Sequence, residues 1–132
     1  MLRLAAAVVV GVTVQGHHSI SSIYDSSHRV TIDGAVAQFQ LVNPHPFLLV
    51  DVRGGAATAQ WRLEMDNLSE LKDVGVNAGT LRAGDRVVVS GSPGRAKPNS
   101  MYVMRLDRPA DGFWYEQVGL SPKIGSTAPA RR

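Results

Sequence analysis

Between Val30 and Tyr115, apolar and polar residues alternate in short runs separated by turn signals, the period of half-buried β-strands. Val30, Ile32, Gly34 and Val36 share one face, with Thr31, Asp33 and Ala35 on the other. The apolar phase then slips by one residue, so that Phe39 and Leu41 continue the inward face. A slip in mid-strand is the mark of a β-bulge, so the first strand is expected to be long and strongly bent. Asn43-Pro44-His45-Pro46 ends it, because neither proline can donate to a ladder and each biases the residue before it to extended geometry. A second strand over 47–52 and a turn at Arg53-Gly54-Gly55 lead into a third strand over 58–65. That strand carries Trp61, Leu63 and Met65 on one face and Gln60, Arg62 and Glu64 on the other.

The period changes after Asp66. Leu68, Leu71 and Val74 form a short stripe at helical spacing, Asn67 is a good N-cap, Glu70 is the reciprocal half of a capping box, and Gly75 can close the helix. A polar turn over 80–85 precedes a fourth strand over 86–90. A loop over 92–100 holds two prolines and two basic residues, and is followed by a fifth strand over 101–106 and an edge strand at Phe113-Trp114-Tyr115. The composition of 119–132, rich in Ser, Pro, Ala and Arg, predicts a disordered basic tail. The order strand-strand-strand-helix-strand-strand with a bent first strand predicts a mainly β fold. It fits a small five-stranded Greek-key barrel of OB type with one short helix between strands three and four. A small β-sandwich with a helical connection is the competing architecture.

The first sixteen residues follow neither period. Met1-Leu2-Arg3 supplies one positive charge, 4–14 is an almost uninterrupted apolar run, and Val14-Gln15-Gly16 suits a cleavage site. This predicts a signal peptide over 1–16, a barrel domain over 17–118 and export to a bacterial periplasm after cleavage near Gly16-His17. The apolar run is about half the ~20 residues a transmembrane helix needs, so no membrane span is expected in the mature form.

With 132 residues, 44% of them apolar, one domain can bury its own core. The absence of cysteine excludes disulfides, thiol nucleophiles, thiolate metal sites and lipid-anchored cysteines. The chain holds 14 basic and 11 acidic side chains, and cleavage would remove Arg3 from the excess. Lys123, Arg131 and Arg132 sit in the last ten residues, leaving a nearly neutral body. Arg62, Arg95, Lys97 and Arg105 are placed to line strands and the loop before the fifth strand. Aromatic residues are only 6%, too few for the stacking platform a nucleic-acid groove needs, so no nucleic-acid partner is expected.

Several short motifs occur together: His17-His18-Ser19 after the apolar leader, Tyr24-Asp25, Asn43-Pro44-His45, Trp61-Arg62-Leu63-Glu64-Met65, and Arg82-Ala83-Gly84-Asp85 before a Val-rich strand and Gly91. The combination, over about residues 17–106, resembles a widespread bacterial family of small exported proteins whose function is not established. The resemblance implies an OB-like periplasmic domain and lends no reaction. Met101 and Met104 lie outside the shared pattern.

Candidate chemistry rests on the histidines. Cleavage after Gly16 would make His17 the mature N-terminus, where α-amine and imidazole can chelate one ion. His18 adds a second imidazole, and His45 sits in a turn already stiffened by proline. Nitrogen donors of this kind favour Cu(II), with Glu64 as an additional carboxylate ligand. The plain alternative is that His17 and His18 are solvated, that His45 bonds a neighbouring carbonyl in its own turn, and that His28 is loop surface. Glu64, Asp66 and Asp51 are more simply solvated strand carboxylates than acid–base catalysts. Ser19, Ser21 and Ser22 lack a nucleophile elbow, so no catalytic residue is assigned. Two functions follow. One is a copper-binding module using His17, His18 and His45. The other is a non-metal module that holds an envelope protein or small ligand on a surface including Phe47, Arg95 and Tyr102.

Overall fold

A computed structural model describes residues 19–127, so the expected signal peptide, His17 and His18 lie outside the described residues. The elements are α1 (Ile20–Ile23), β1 (Val30–Gln40), β2 (Phe47–Gly54), β3 (Ala57–Glu64), α2 (Leu68–Asp73), β4 (Arg86–Pro93), β5 (Ser100–Arg108), β6 (Phe113–Glu116) and β7 (Lys123–Ser126). Hydrogen-bonded neighbours run β3-β2-β1-β4-β5-β6-β7, and a parallel pairing of β3 with β5 closes the first five strands into a barrel. The fold is therefore mainly β and OB-like, as the strand order predicts, and not a sandwich.

The closure depends on the bend in β1. Val36 pairs with Val50 and Gln38 with Leu49, leaving Ala37 as the extra residue at the position of the apolar phase slip. The first half of β1 pairs with β4 and its second half with β2, so one bulged strand serves both sides of the barrel. Inward residues Val36, Leu48, Val50, Leu63, Val87, Val89, Met101, Val103 and Leu106 are buried in a single core. At about 1.5–3 kcal/mol for each large aliphatic side chain removed from water, this alternation is the main source of stability.

Helix α2 follows its sequence signals. Asn67 Oδ1 accepts the Glu70 N–H at 3.0 Å, and the Asn67 amide donates to Glu70 Oε2 at 2.9 Å. At the other end Gly75, at φ +97°, supports paired bonds from Gly75 N–H to Lys72 O and from Val76 N–H to Leu71 O, a Schellman closure.

Four expectations are corrected. The 92–100 loop contracts to 94–99, because Ser92 and Pro93 still pair with Tyr102 and Met101. Pro93 is the last residue of β4, where a missing N–H costs least, and its carbonyl accepts the Asp25 N–H. Strand β6 is not an edge, being flanked by β5 and β7. Residues 123–126 of the expected tail form β7, where Gly125 lets the Trp114 ring lie directly on the backbone and Ile124 packs against the core. Lastly, α1 is a second helix, a single turn in which none of the four residues is buried, too short for its Ile20–Ile23 pair to stand out as a period. Among the described residues, no helix is long and apolar enough to cross a membrane.

Candidate functional site

The segment after α1 runs antiparallel to the loop between β4 and β5. Asp25 N–H donates to Pro93 O and Arg95 N–H to Ile23 O, each at 2.8 Å, with Tyr24 opposite Gly94. This pairing turns the Tyr24 side chain down onto the barrel, where its ring lies 5.8 Å from that of Tyr102 and its hydroxyl donates to Glu64 Oε2 at 2.5 Å. Burial, reinforced by the Glu64 charge, raises the Tyr24 phenol far above its ordinary pKa, so the hydroxyl stays a donor at any physiological pH. Burial does the same for Tyr102, with the Asp66 charge adding to it.

Tyr24 divides two cavities. The first, about 370 Å³, has Tyr102, Met104 and Ile20 as apolar walls and Ser92, His28 and Arg29 among its polar ones. Met104 reaches it as the extra residue of a second bulge, since Ser90 pairs with Arg105 and Gly91 with Val103. The second, about 400 Å³, is bounded by β3 and the 94–99 loop and is lined by Arg62, Glu64, Arg95, Lys97 and Ser100.

The expected site residues divide unevenly between these places. Phe47 stands opposite Glu64 in the β2–β3 register and carries the Arg62 guanidinium 3.5 Å above its ring centroid. Arg95 opens onto the second cavity. Tyr102 is only 8% exposed and forms part of the first cavity's wall, so it belongs to the cavity lining rather than to an outer surface. Glu64 is engaged by the Tyr24 hydroxyl.

His45 is half-buried, and its Nδ1–H donates to the Met65 carbonyl at 3.1 Å, which leaves Nε2 outside that bond. His28 is exposed, with Nδ1 2.7 Å from Asp25 Oδ2. Hydrogen bonds from Ser27 and then His28 pull the Asp25 carboxyl down to about 2. Among the described residues, no group of three or more His, Asp or Glu side chains is arranged to hold a metal ion.

Sequence reasoning missed Tyr24 as the partition, although Tyr24-Asp25 is among the motifs. It weighed Arg62, Arg95, Lys97 and Arg105 together only as a nucleic-acid surface. The first three converge on one cavity, whereas Arg105 lies elsewhere, paired with Asp107 and Glu116 and stacked near Trp114.

A family of unknown function, DUF6152, matches residues 6–101. The chain belongs to that family. The assignment agrees with the resemblance to an uncharacterised family and brings no reaction with it. No curated protein matches this DUF6152 sequence. Among solved structures, one described as the ZRD-deleted mutant of TiaS in complex with agmatine is similar, at 20% identity and a TM-score of 0.47. The similarity covers 82% of the DUF6152 chain and 28% of that chain. A likeness at this level carries no functional argument, and the OB-type assignment rests on the strand pairings themselves.

Proposed function

We propose that this DUF6152 protein is an exported, periplasmic OB-type binding module that holds a small ligand on the face divided by Tyr24. The observation that carries the reading is the pair of cavities on either side of Tyr24, at the β4–β5 loop of the barrel. Loops at this place and the adjoining strands are where OB barrels commonly take ligands. Export is supported by the charge and apolar run of residues 1–16, and the family match takes in most of that run together with His17 and His18.

The test is a thermal-shift panel of charged and uncharged small molecules, with native mass spectrometry of the hits, on protein beginning at His17. A 1:1 ligand is expected, lost when the second cavity is altered by R95E or filled by A96W at positions that are exposed. Binding that both variants leave unchanged overturns the reading.

Copper is the second reading, favoured by one detail of His45. A histidine that donates Nδ1–H to a carbonyl has its Nε2 lone pair oriented and free for a metal. In this reading His17, His18 and His45 are the ligands for Cu(II), with Glu64 released from Tyr24 to add a carboxylate. Near-stoichiometric Cu(II) uptake by protein starting at His17, much weakened by H17A or an N-terminal extension, is the expected result. Equal affinity in the three forms removes the site.

A further inference from the structure

The second cavity is lined by three cationic residues, Arg62, Arg95 and Lys97, and one carboxylate, Glu64, which already accepts the Tyr24 hydroxyl. Of the three, only Arg95 has an ion-pair partner among the described residues, the distant Asp25. Arg62 stacks its plane on Phe47, an arrangement that occupies the face of the guanidinium and leaves its in-plane N–H donors unused among the described residues. Arg95 gives Nε–H to Ser21 O at 3.1 Å, and its Nη2 stands 3.8 Å from Asp25, at the outer limit of an ion pair. Lys97 makes no side-chain hydrogen bond or ion pair among the described residues.

The loop that carries two of these cations is held in place before any ligand arrives. Gly94 N–H donates to Ser100 O, Ser100 Oγ–H to Lys97 O, and Arg62 N–H to Asn99 O. A Cβ at Gly94 would lie 2.0 Å from Ser100 Oγ and 2.8 Å from Lys97 O, so the tight return of the chain depends on glycine there. A pre-formed loop loses little entropy on binding, and like charges held together by the fold are relieved by an anion between them.

We infer that this cavity is an oxyanion site, in which Arg62, Arg95 and Lys97 hold a carboxylate or phosphate group of a small ligand. The inference rests on reading the Tyr24 face as the binding face and names the chemistry that face selects. Arg62 supplies the planar fork, Arg95 and Lys97 close over the charge from the loop, and Glu64, tied to Tyr24, forms the wall that limits the anion's reach.

Calorimetric titration of the mature protein with inorganic phosphate and with citrate, each against glycerol as an uncharged control, tests the inference. Binding of at least one oxyanion is expected, weakening as salt is raised. Its affinity should fall about tenfold in R62Q and roughly three- to tenfold in R95Q and K97Q, each shown to fold by its melting temperature. R62K, which keeps the charge and loses the fork, should fall between wild type and R62Q. K123Q removes an equal charge from β7, outside the cavity, and should bind as wild type. Tighter phosphate marks a phosphoryl ligand and tighter citrate a carboxylate one, and either supports the site. Equal affinity in R62Q, R95Q, K97Q and wild type, or an equal loss in K123Q, overturns it. If no oxyanion binds while a neutral compound binds and is lost in R95E, the anion class falls and the binding face stands; if nothing binds, both fall.

Discussion

Tyr24 is the side chain that carries the N-terminal segment down onto the barrel, beside the backbone bonds that tie the segment to the β4–β5 loop. Its ring is buried against Tyr102, and its hydroxyl donates to a carboxylate that emerges from the outward face of β3. A neutral-to-charged hydrogen bond in a part-buried site contributes more than an exposed one, about 1.5–3 kcal/mol. Y24F keeps the ring and deletes the donor, so urea denaturation should show a loss of about 1–2 kcal/mol; an unchanged midpoint would mean that ring packing and the backbone bonds hold the segment without the hydroxyl. Nothing in the local pattern points to this role: Ile20 and Ile23 precede Tyr24 at helical spacing, but the residues after it are aspartate, serine and histidine, and none of them names its partner. Tyr24 is legible only as part of a motif, and its partner Glu64 is reached through the tertiary fold. His45 is a similar case. Its proline-bound turn is plain in the sequence, but the carbonyl it bonds is that of Met65, just past β3, and not one within the turn, so this partner too is reached only through the tertiary fold.

At the level of elements, α2 shows how far local signals reach. The cap, the apolar stripe and the closing glycine are consecutive in sequence and define the helix without help from the rest of the chain. The bulge in β1 is legible for a similar reason: a strand with one face buried cannot change phase without an extra residue, and Ala37 is that residue. What the pattern does not disclose is the carboxyl pair at the start of α2. Asp66 is buried, with Oδ1 accepting the Asn67 N–H, and Oδ2 has no hydrogen-bond donor among the described residues. Glu70 stands beside it, and the Asp66 carboxylate raises the Glu70 pKa, so that a proton on Glu70 can serve both groups. A carboxyl raised in the folded state stabilises fully below its unfolded pKa and loses that contribution as pH rises through the folded value. Stability should therefore decline through this group as pH climbs from about 4 towards neutral. E70Q, whose amide can donate to Asp66 at every pH, should flatten the decline in urea midpoints measured across that range. Parallel profiles for E70Q and wild type would exclude the shared proton.

At the scale of the molecule, the barrel was legible because its order of elements follows the chain, while the site was not, because it is made by a contact that skips along it. The parallel pairing of Arg62 with Ser100 and Glu64 with Tyr102 sets β3 beside β5 and carries Arg62 to the 94–99 loop. Read in sequence, those cations are scattered residues on polar faces; only closure of the barrel makes them neighbours. The same pairing explains β6 and β7. Strand β3 covers only the first residues of β5, so the far half, Arg105–Arg108, would be left as an open edge, and β6 occupies it while β7 covers β6. Their contribution is nonlocal and built from few apolar residues, which is why composition alone suggests a loose tail. Removing residues 119–132 deletes the β7 ladder, uncovers the Trp114 ring over Gly125 and takes Ile124 from the core. A loss of about 2–4 kcal/mol follows from burying one aliphatic side chain and satisfying an edge strand, roughly 5–15 °C in melting temperature for a domain of this size. Because β3–β5 closure does not involve β7, the truncated protein should keep its far-ultraviolet spectrum at low temperature and melt earlier. A melting temperature equal to that of the full chain would show that the barrel stands without the β6–β7 hairpin's outer strand.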